Sequence, residues 1–502
     1  MPEAAPTRST DWYGRNRRWL WIAVALGVWL LTMAAAYVVF AGVVSRNLAE
    51  ARADLEQSLA RLPKPASVAK AGVPKDTARA QSSMDWIARM GGAIPGAIGH
   101  QTMPPRVPGG IARTLTLPSE VFLTQTHYGI TSASSSGPQK AAPECSQVDP
   151  EILGDEMRLA NWRAELEDKP TQLRANRACY AVVAGWQDLT ETIPSETFDA
   201  DQLVHTPSAQ WFEMLEREGL PAPMPSLCGA VLAARRLADS AVYHAAKGET
   251  QTAREHLSKA LAACDALCGL EWITGFAAWT EAEIQVLERA CLCMALLEST
   301  GFPPEFDAHV AALEPRERYL AAIPGELRLV ERDFERAKNG LSSRVRMDTR
   351  DDFGAGPMLS LQMDQELADT LRTWLADLPR AEVAPYSSGG PLPMVRSALS
   401  SNQFGFKLTP PGLGSQHPWG ELAALKELVQ LARIATRDGA AAAQQAAASI
   451  LDPFSGKPLA SRLEPDGTLV LWSVGEDRKD DNAQPRLTCD PKADIVVRVP
   501  TR

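Results

Sequence analysis

From Trp19 to Val44 the chain runs for 26 positions without a charged side chain. At 1.5 Å per residue this predicts about 39 Å of helix, enough to cross a roughly 30 Å hydrocarbon core with some tilt. Trp19 and Trp21 suit an interfacial aromatic belt. The apolar region of a cleaved signal peptide is about 7–15 residues, so an uncleaved anchor is expected, although Ala34-Ala35-Ala36 also offers a small-residue cleavage site. Ser45 to Leu62, with leucines at 48, 55, 59 and 62, reads as a helical continuation of the span. The pattern then lapses. Residues 63–114 are rich in Pro, Ala and Gly and lack the apolar periodicity that offsets ordering entropy, which predicts a flexible tether.

LTLPSEVFLTQT (115–126) reads as a strand or an extended docking segment and 130–144 as low complexity, and from about Pro150 to Leu451 the three- and four-residue steps of amphipathic helices dominate. Helices are expected at 150–168, 207–218, 315–338, 358–377 and 419–450, with a Pro- and Gly-rich stretch from Val383 to His417. The clearest unit is 227–268. Leu227, Val231, Ala234, Leu237, Ala241 and Ala245 share one helical face, Lys247-Gly248 breaks the helix, and Ala253, Leu257, Ala260, Leu261, Cys264 and Leu267 form the next stripe. Thr252 with Glu255, and Thr280 with Glu283, have the spacing of capping boxes and predict helix starts there. This hairpin resembles a tetratricopeptide unit, but no 34-residue period repeats along the chain.

The last fifty residues change character. Pro465-Asp466-Gly467 is a hairpin signal between LASRL and TLVLWS, and DIVVRV supplies a third strand. Three short strands need a helix to pack on, and 419–450 is the candidate. The predicted fold is mainly α. It comprises a tail (1–18), a transmembrane helix (19–44), a helical extension (45–62), a tether (63–114), an irregular helical-hairpin domain (115–450) and a small antiparallel β segment (451–502).

Charge bears on compartment more than on chemistry. Arg8, Arg15, Arg17 and Arg18 precede the span while Arg46 and Arg52 follow it, and the positive-inside bias predicts a cytoplasmic tail and an extracytoplasmic bulk. The net charge of −10 argues against a nucleic-acid partner. Eight cysteines fit an oxidising compartment without requiring one. Cys264, Cys268, Cys291 and Cys293 read as small core hydrophobes, as inter-helix disulfides or, with poor spacing, as a metal site.

The segment DPFSGKPL…LWSVGEDRKDDN…DIVVRVP resembles the C-terminal segment of type II secretion major pseudopilins. It is closer still to a group of membrane-anchored bacterial proteins, many of them planctomycete, without an established activity. The resemblance covers about a tenth of the chain, and the start lacks the G-F-T-L-I-E processing signal of true prepilins. It implies a calcium site, with Asp477 and Asp494 at matching positions and Asp480 and Asp481 as further carboxylates, since calcium takes six to eight hard oxygens. Asp481-Asn482 replaces the expected Gly-Gly, and LTCDPK lengthens the loop. The alternative is that these aspartates cap turns and tie the loop through backbone hydrogen bonds.

No G-x-S-x-G, H-E-x-x-H, phosphate-binding or dinucleotide-binding glycine motif is present. Ser67 and Lys70 have S-x-x-K spacing but lie in the tether. His244 and His256 flank one hairpin turn, and Glu213/Glu216 and Glu331/Asp333 suit solvated helix faces. The expectation is a non-enzymatic protein of the bacterial inner membrane, anchored by a single pass. It would bind or scaffold other envelope proteins, with a link to a secretion or pilus-type apparatus implied by resemblance alone. A calcium-dependent pseudopilin-like assembly component and an envelope hydrolase with an unrecognised site are the alternatives.

Overall fold

In a computed structural model the described residues are 11–62, 166–178, 180–181, 224–268, 273–297, 302–338, 357–381, 419–476, 478–483 and 494–501. They form a mainly helical protein with one long apolar N-terminal helix and a small three-stranded antiparallel sheet. The stretch expected to be a tether, the helix expected at 207–218 and the whole 383–417 stretch lie outside these residues, as does most of the helix expected at 150–168.

Helix α1 (Asp11–Leu59) is unbroken for 49 residues. Its first half is long and apolar enough to span a membrane, and its large side chains face outward: Trp19 is 71% and Leu31 73% exposed. Its second half is a core helix. Val44, Leu48, Ala51 and Leu55 are buried at three- and four-residue steps, and that stripe packs against α8 (Pro357–Ala381). The polar rim of the seam is fixed as well. Asn47 Nδ2 donates to Gln365 Oε1 at 3.4 Å, and Arg52 pairs with Glu331 of α7 (Pro315–Lys338) at 2.6 Å. The leucine spacing at 48, 55 and 62 therefore marks a buried face rather than a free extension.

The helix α2 is short (Pro170–Ala175). The α3 (Met224–Lys247) and α4 (Thr250–Cys268) pair is the hairpin read from the sequence, turning at Gly248 with φ +81°. A positive φ costs glycine little and a side-chain-bearing residue more. Both predicted capping boxes are displaced. Helix α4 starts at Thr250, so Thr252 and Glu255 lie within it. Helix α5 (Ile273–Leu296) starts seven residues before Thr280. Its apolar run continues upstream through Phe276 and Trp279, and that burial outweighs the local capping signal.

Helix α5 is central. It packs on α2, α3, α4, α7, α9 (Gly420–Asp438) and the C-terminal strand 495–500, which is why it is apolar nearly all round. A one-and-a-half-turn helix, α6 (Phe306–Ala311), is pinned to α9 by the two-point Asp307–Arg433 ion pair, and the Arg433 guanidinium lies 4.6 Å over the Phe302 ring. The expected 419–450 helix is two, α9 and α10 (Ala440–Ala447), broken at Gly439 with φ +95° and ψ +167°, a conformation open essentially to glycine alone.

Strands β1 (Ala460–Leu463), β2 (Thr468–Ser473) and β3 (Ile495–Pro500) form the sheet in that order. The register pairs Leu463 with Leu469 and Leu469 with Val499. Asp466 closes the hairpin, its carboxylate accepting the Thr468 N–H at 2.9 Å. Leu469, Leu471, Val497 and Val499 point into the common core against α9. Helical domain and sheet share one interface, as the sequence pattern predicted.

Candidate functional site

Two of the C-terminal motifs, DPFSG and WSVG, meet at one residue. Asp452, the aspartate of DPFSG, is 2% exposed. Its Oδ1 accepts from Phe454 N at 3.1 Å and Ser473 Oγ at 2.7 Å, and its Oδ2 from Ser455 Oγ at 2.8 Å and Val474 N at 3.3 Å. The DPFSG and WSVG segments thus form one hydrogen-bonded corner, with a buried carboxylate whose donors satisfy both oxygens. Arg498 of DIVVRVP joins a second corner, donating to Asp168 at 2.7 Å and to the Ala483 carbonyl at 2.8 Å.

Of the four acidic residues expected in the loop after β2, Asp477 lies outside the described residues. Asp480 is exposed, its Oδ1 accepting from Trp472 Nε1 at 3.0 Å and Asn482 N at 2.9 Å. Asp494 is fully buried. Its Oδ2 accepts the Ala483 N–H at 2.8 Å, whereas its Oδ1 is enclosed with no hydrogen-bond partner among the described residues. Burial pushes the Asp494 carboxyl above its ordinary range against the pull of the Ala483 and Asp481 N–H groups, and the charges of Asp480 and Asp481 push the same way. Left-handed backbone at Arg478, Asn482 and Ala483 folds the loop over this carboxyl.

Cys264, Cys291 and Cys293 are buried, Cys268 is partly so, and all four are free thiols. Burial raises Cys264, Cys291 and Cys293, the last to about 12, so these three are held as thiols at neutral pH and are poor nucleophiles. Cys145, Cys179 and Cys489 lie outside the described residues, as do Ser67, Lys70, Glu213 and Glu216. The side chain of Cys228 is likewise undescribed.

His244 and His256 do approach, with ring centroids 5.0 Å apart, but each is engaged elsewhere. His244 Nδ1 lies 2.6 Å from Glu249 Oε2, and His256 Nδ1 lies 2.8 Å from Ser240 Oγ. Ser240 is 4% exposed and sits in the interior of α3, where backbone N–H groups are committed to the helix. This serine–imidazole contact therefore lacks the oxyanion donors that acyl transfer requires.

A third group has no sequence signature. Asp265 on α4, Glu283 on α5 and His309 on α6 are 18 and 26 residues apart, and helix packing brings them together. Glu283 is fully enclosed in an apolar core, its Oε1 accepting from Trp279 Nε1 at 3.0 Å. His309 Nε2 lies 3.0 Å from Glu283 Oε2 and Nδ1 lies 3.4 Å from Asp265 Oδ1. Burial disfavours a charged ring here, but Glu283 and Asp265 more than reverse that, lifting His309 to about 10. Arg318 of α7 stacks 4.6 Å over the Trp279 ring, and burial lowers it to about 10. A charged imidazole cannot serve as a general base, so the group as it stands is a fastening of three helices.

No protein-family model, curated protein or solved structure matches this chain.

Proposed function

We propose that this chain is a single-pass protein of the bacterial inner membrane whose extracytoplasmic helical domain binds or scaffolds other envelope proteins. The observation that carries the reading is the continuity of α1: one helix is apolar and outward-facing through Phe40 and Val43, and core-packed from Val44 onward. The domain thus begins where the apolar span ends. An unbroken helix mounts it in one orientation, which suits a platform for neighbouring proteins. The charge distribution around the span and the hairpin resemblance support the same reading. Crosslinking in native membranes, followed by affinity purification and mass spectrometry, tests it. Secretion-platform or pilus-type components are expected with the parent chain and should be lost when a Gly-Ser insert after Val44 uncouples domain from span. Recovery of the chain alone would sink the proposal and turn the search to an envelope hydrolase.

One observation favours a second reading, a calcium-dependent assembly component: the enclosed Asp494 Oδ1, which has no partner among the described residues. Asp480, Asp481 and Asp494, joined by Asp477, would hold the ion, which would neutralise carboxylates that otherwise repel. Millimolar calcium is expected to raise the melting temperature of the parent chain but not of Asp494→Asn. An unchanged parent, or a variant that responds equally, rules calcium out.

A further inference from the structure

The group at Asp265, Glu283 and His309 offers more than a fastening. One ligand atom from each lies within 4.8 Å of the other two, and each comes from a different helix. A buried charge has to be paired or coordinated. Glu283 has zero exposure in an apolar core and meets only Trp279 and His309 at hydrogen-bond distance among the described contacts. We propose that Asp265, Glu283 and His309 form a binding site for a first-row divalent transition cation, zinc foremost, with a remaining position open to water.

The chemistry of the donors selects the class of ion. One imidazole nitrogen and two carboxylates suit zinc and its neighbours, whereas calcium requires six to eight oxygens. This separates the site from the loop at Asp494. Zinc–ligand bonds of about 2.0–2.2 Å put neighbouring tetrahedral ligands roughly 3.2–3.6 Å apart. The 3.0 Å between His309 Nε2 and Glu283 Oε2 is close to such an edge. Only one ring nitrogen can take the ion, so one carboxylate meets it in place and the other must swing in. Glu283 is the fixed one: it is enclosed, and the Trp279 indole N–H holds its second oxygen, as outer partners commonly orient metal ligands. Asp265 is the movable one, with 52% of its side chain in solvent, and it marks the route of entry.

Binding releases the proton that His309 otherwise carries, which leaves two carboxylates and a neutral imidazole with a formal charge of −2 that a divalent ion cancels. The Arg318 guanidinium stands nearby, and its stacking on Trp279 makes it a packing group rather than a competitor for the same oxygens. An ion here would tie α4, α5 and α6 at the centre of the domain, stiffening the platform without adding a reaction.

The full chain in detergent micelles, stripped with a chelator, is titrated with zinc calorimetrically and with cobalt by visible absorption. One ion per chain is expected, with cobalt bands of an oxygen–nitrogen site and no thiolate charge-transfer band. His309→Asn should abolish uptake, and Asp265→Asn should weaken it by about 100-fold or more, exceeding the usual loss of an outer partner. Should His309→Asn fail to fold, Asp265→Asn decides, because its side chain is half exposed and the replacement keeps its shape. No stoichiometric uptake, equal uptake by the Asp265→Asn variant, a thiolate band, or uptake lost in Asp494→Asn would each overturn the proposal.

Discussion

Glu281 is the side chain on which the packing can be tested by pH alone. It stands on α5 where that helix meets α3 and α9. Burial pushes its carboxyl up from 4.5 to about 7, against the Gln285 amide that donates to it. Glu421 and Glu288 add to the rise, and Arg235 opposes it. The sign follows. A carboxyl that is harder to ionise folded than unfolded costs nothing below pH 4.5, costs progressively more between 4.5 and 7, and costs its full amount above 7. That full amount is about 3 kcal/mol from the displacement, and the residue's partial exposure reduces it to about 1–2 kcal/mol. Glu281→Gln keeps the acceptor for Gln285 and removes the titration. At pH 8 the variant should therefore be more stable by about 1–2 kcal/mol, a rise of about 2–6 °C in melting temperature. At pH 4.5 the two proteins should melt together. Thermal unfolding of parent and variant in the same detergent across this range reads the difference, in which every other titrating group cancels. A variant less stable than the parent at pH 8, or a gap independent of pH, would refute the account of Glu281.

Three further outcomes follow from packing and backbone. Leu55 is fully buried against α8, so Leu55→Ala should cost about 2–5 kcal/mol and speed hydrogen exchange in α8 before other helices. Asp452→Ala removes the common acceptor of the two-segment corner and should cost about 2–4 kcal/mol, read by thermal melting. Gly439→Ala meets no steric neighbour, so its cost of about 1–3 kcal/mol should come from backbone conformation alone and persist with any side chain tested.

The sequence by itself determined the elements whose signal is local. The apolar run at 19–44 fixes a long helix because its length and lack of charge leave few alternatives. The hairpin at 227–268 is legible because small and apolar residues keep helical spacing on both sides of Lys247-Gly248. The three strands and the Asp466 turn are legible because alternation and turn chemistry act within a few residues. Even the shared interface of helix and sheet could be anticipated, since three short strands cannot bury a face alone.

What only the tertiary structure decided depends on burial between distant segments. The 45–62 segment reads from sequence only as a helical continuation of the span, and its partners, α8 and α7 some 300 residues later, are set by the tertiary packing. The capping boxes at Thr252 and Thr280 carry the right spacing and lie inside helices, and at Thr280 the reason is that Phe276 and Trp279 upstream extend the buried face. Asp452 appears in the motif as one letter among several, and its four donors come from residues up to 22 positions away. Asp265, Glu283 and His309 have no spacing in common at all. Periodicity records which face of a helix is apolar, not which helices will meet, and a constellation assembled from three helices exists only once the core has chosen their partners.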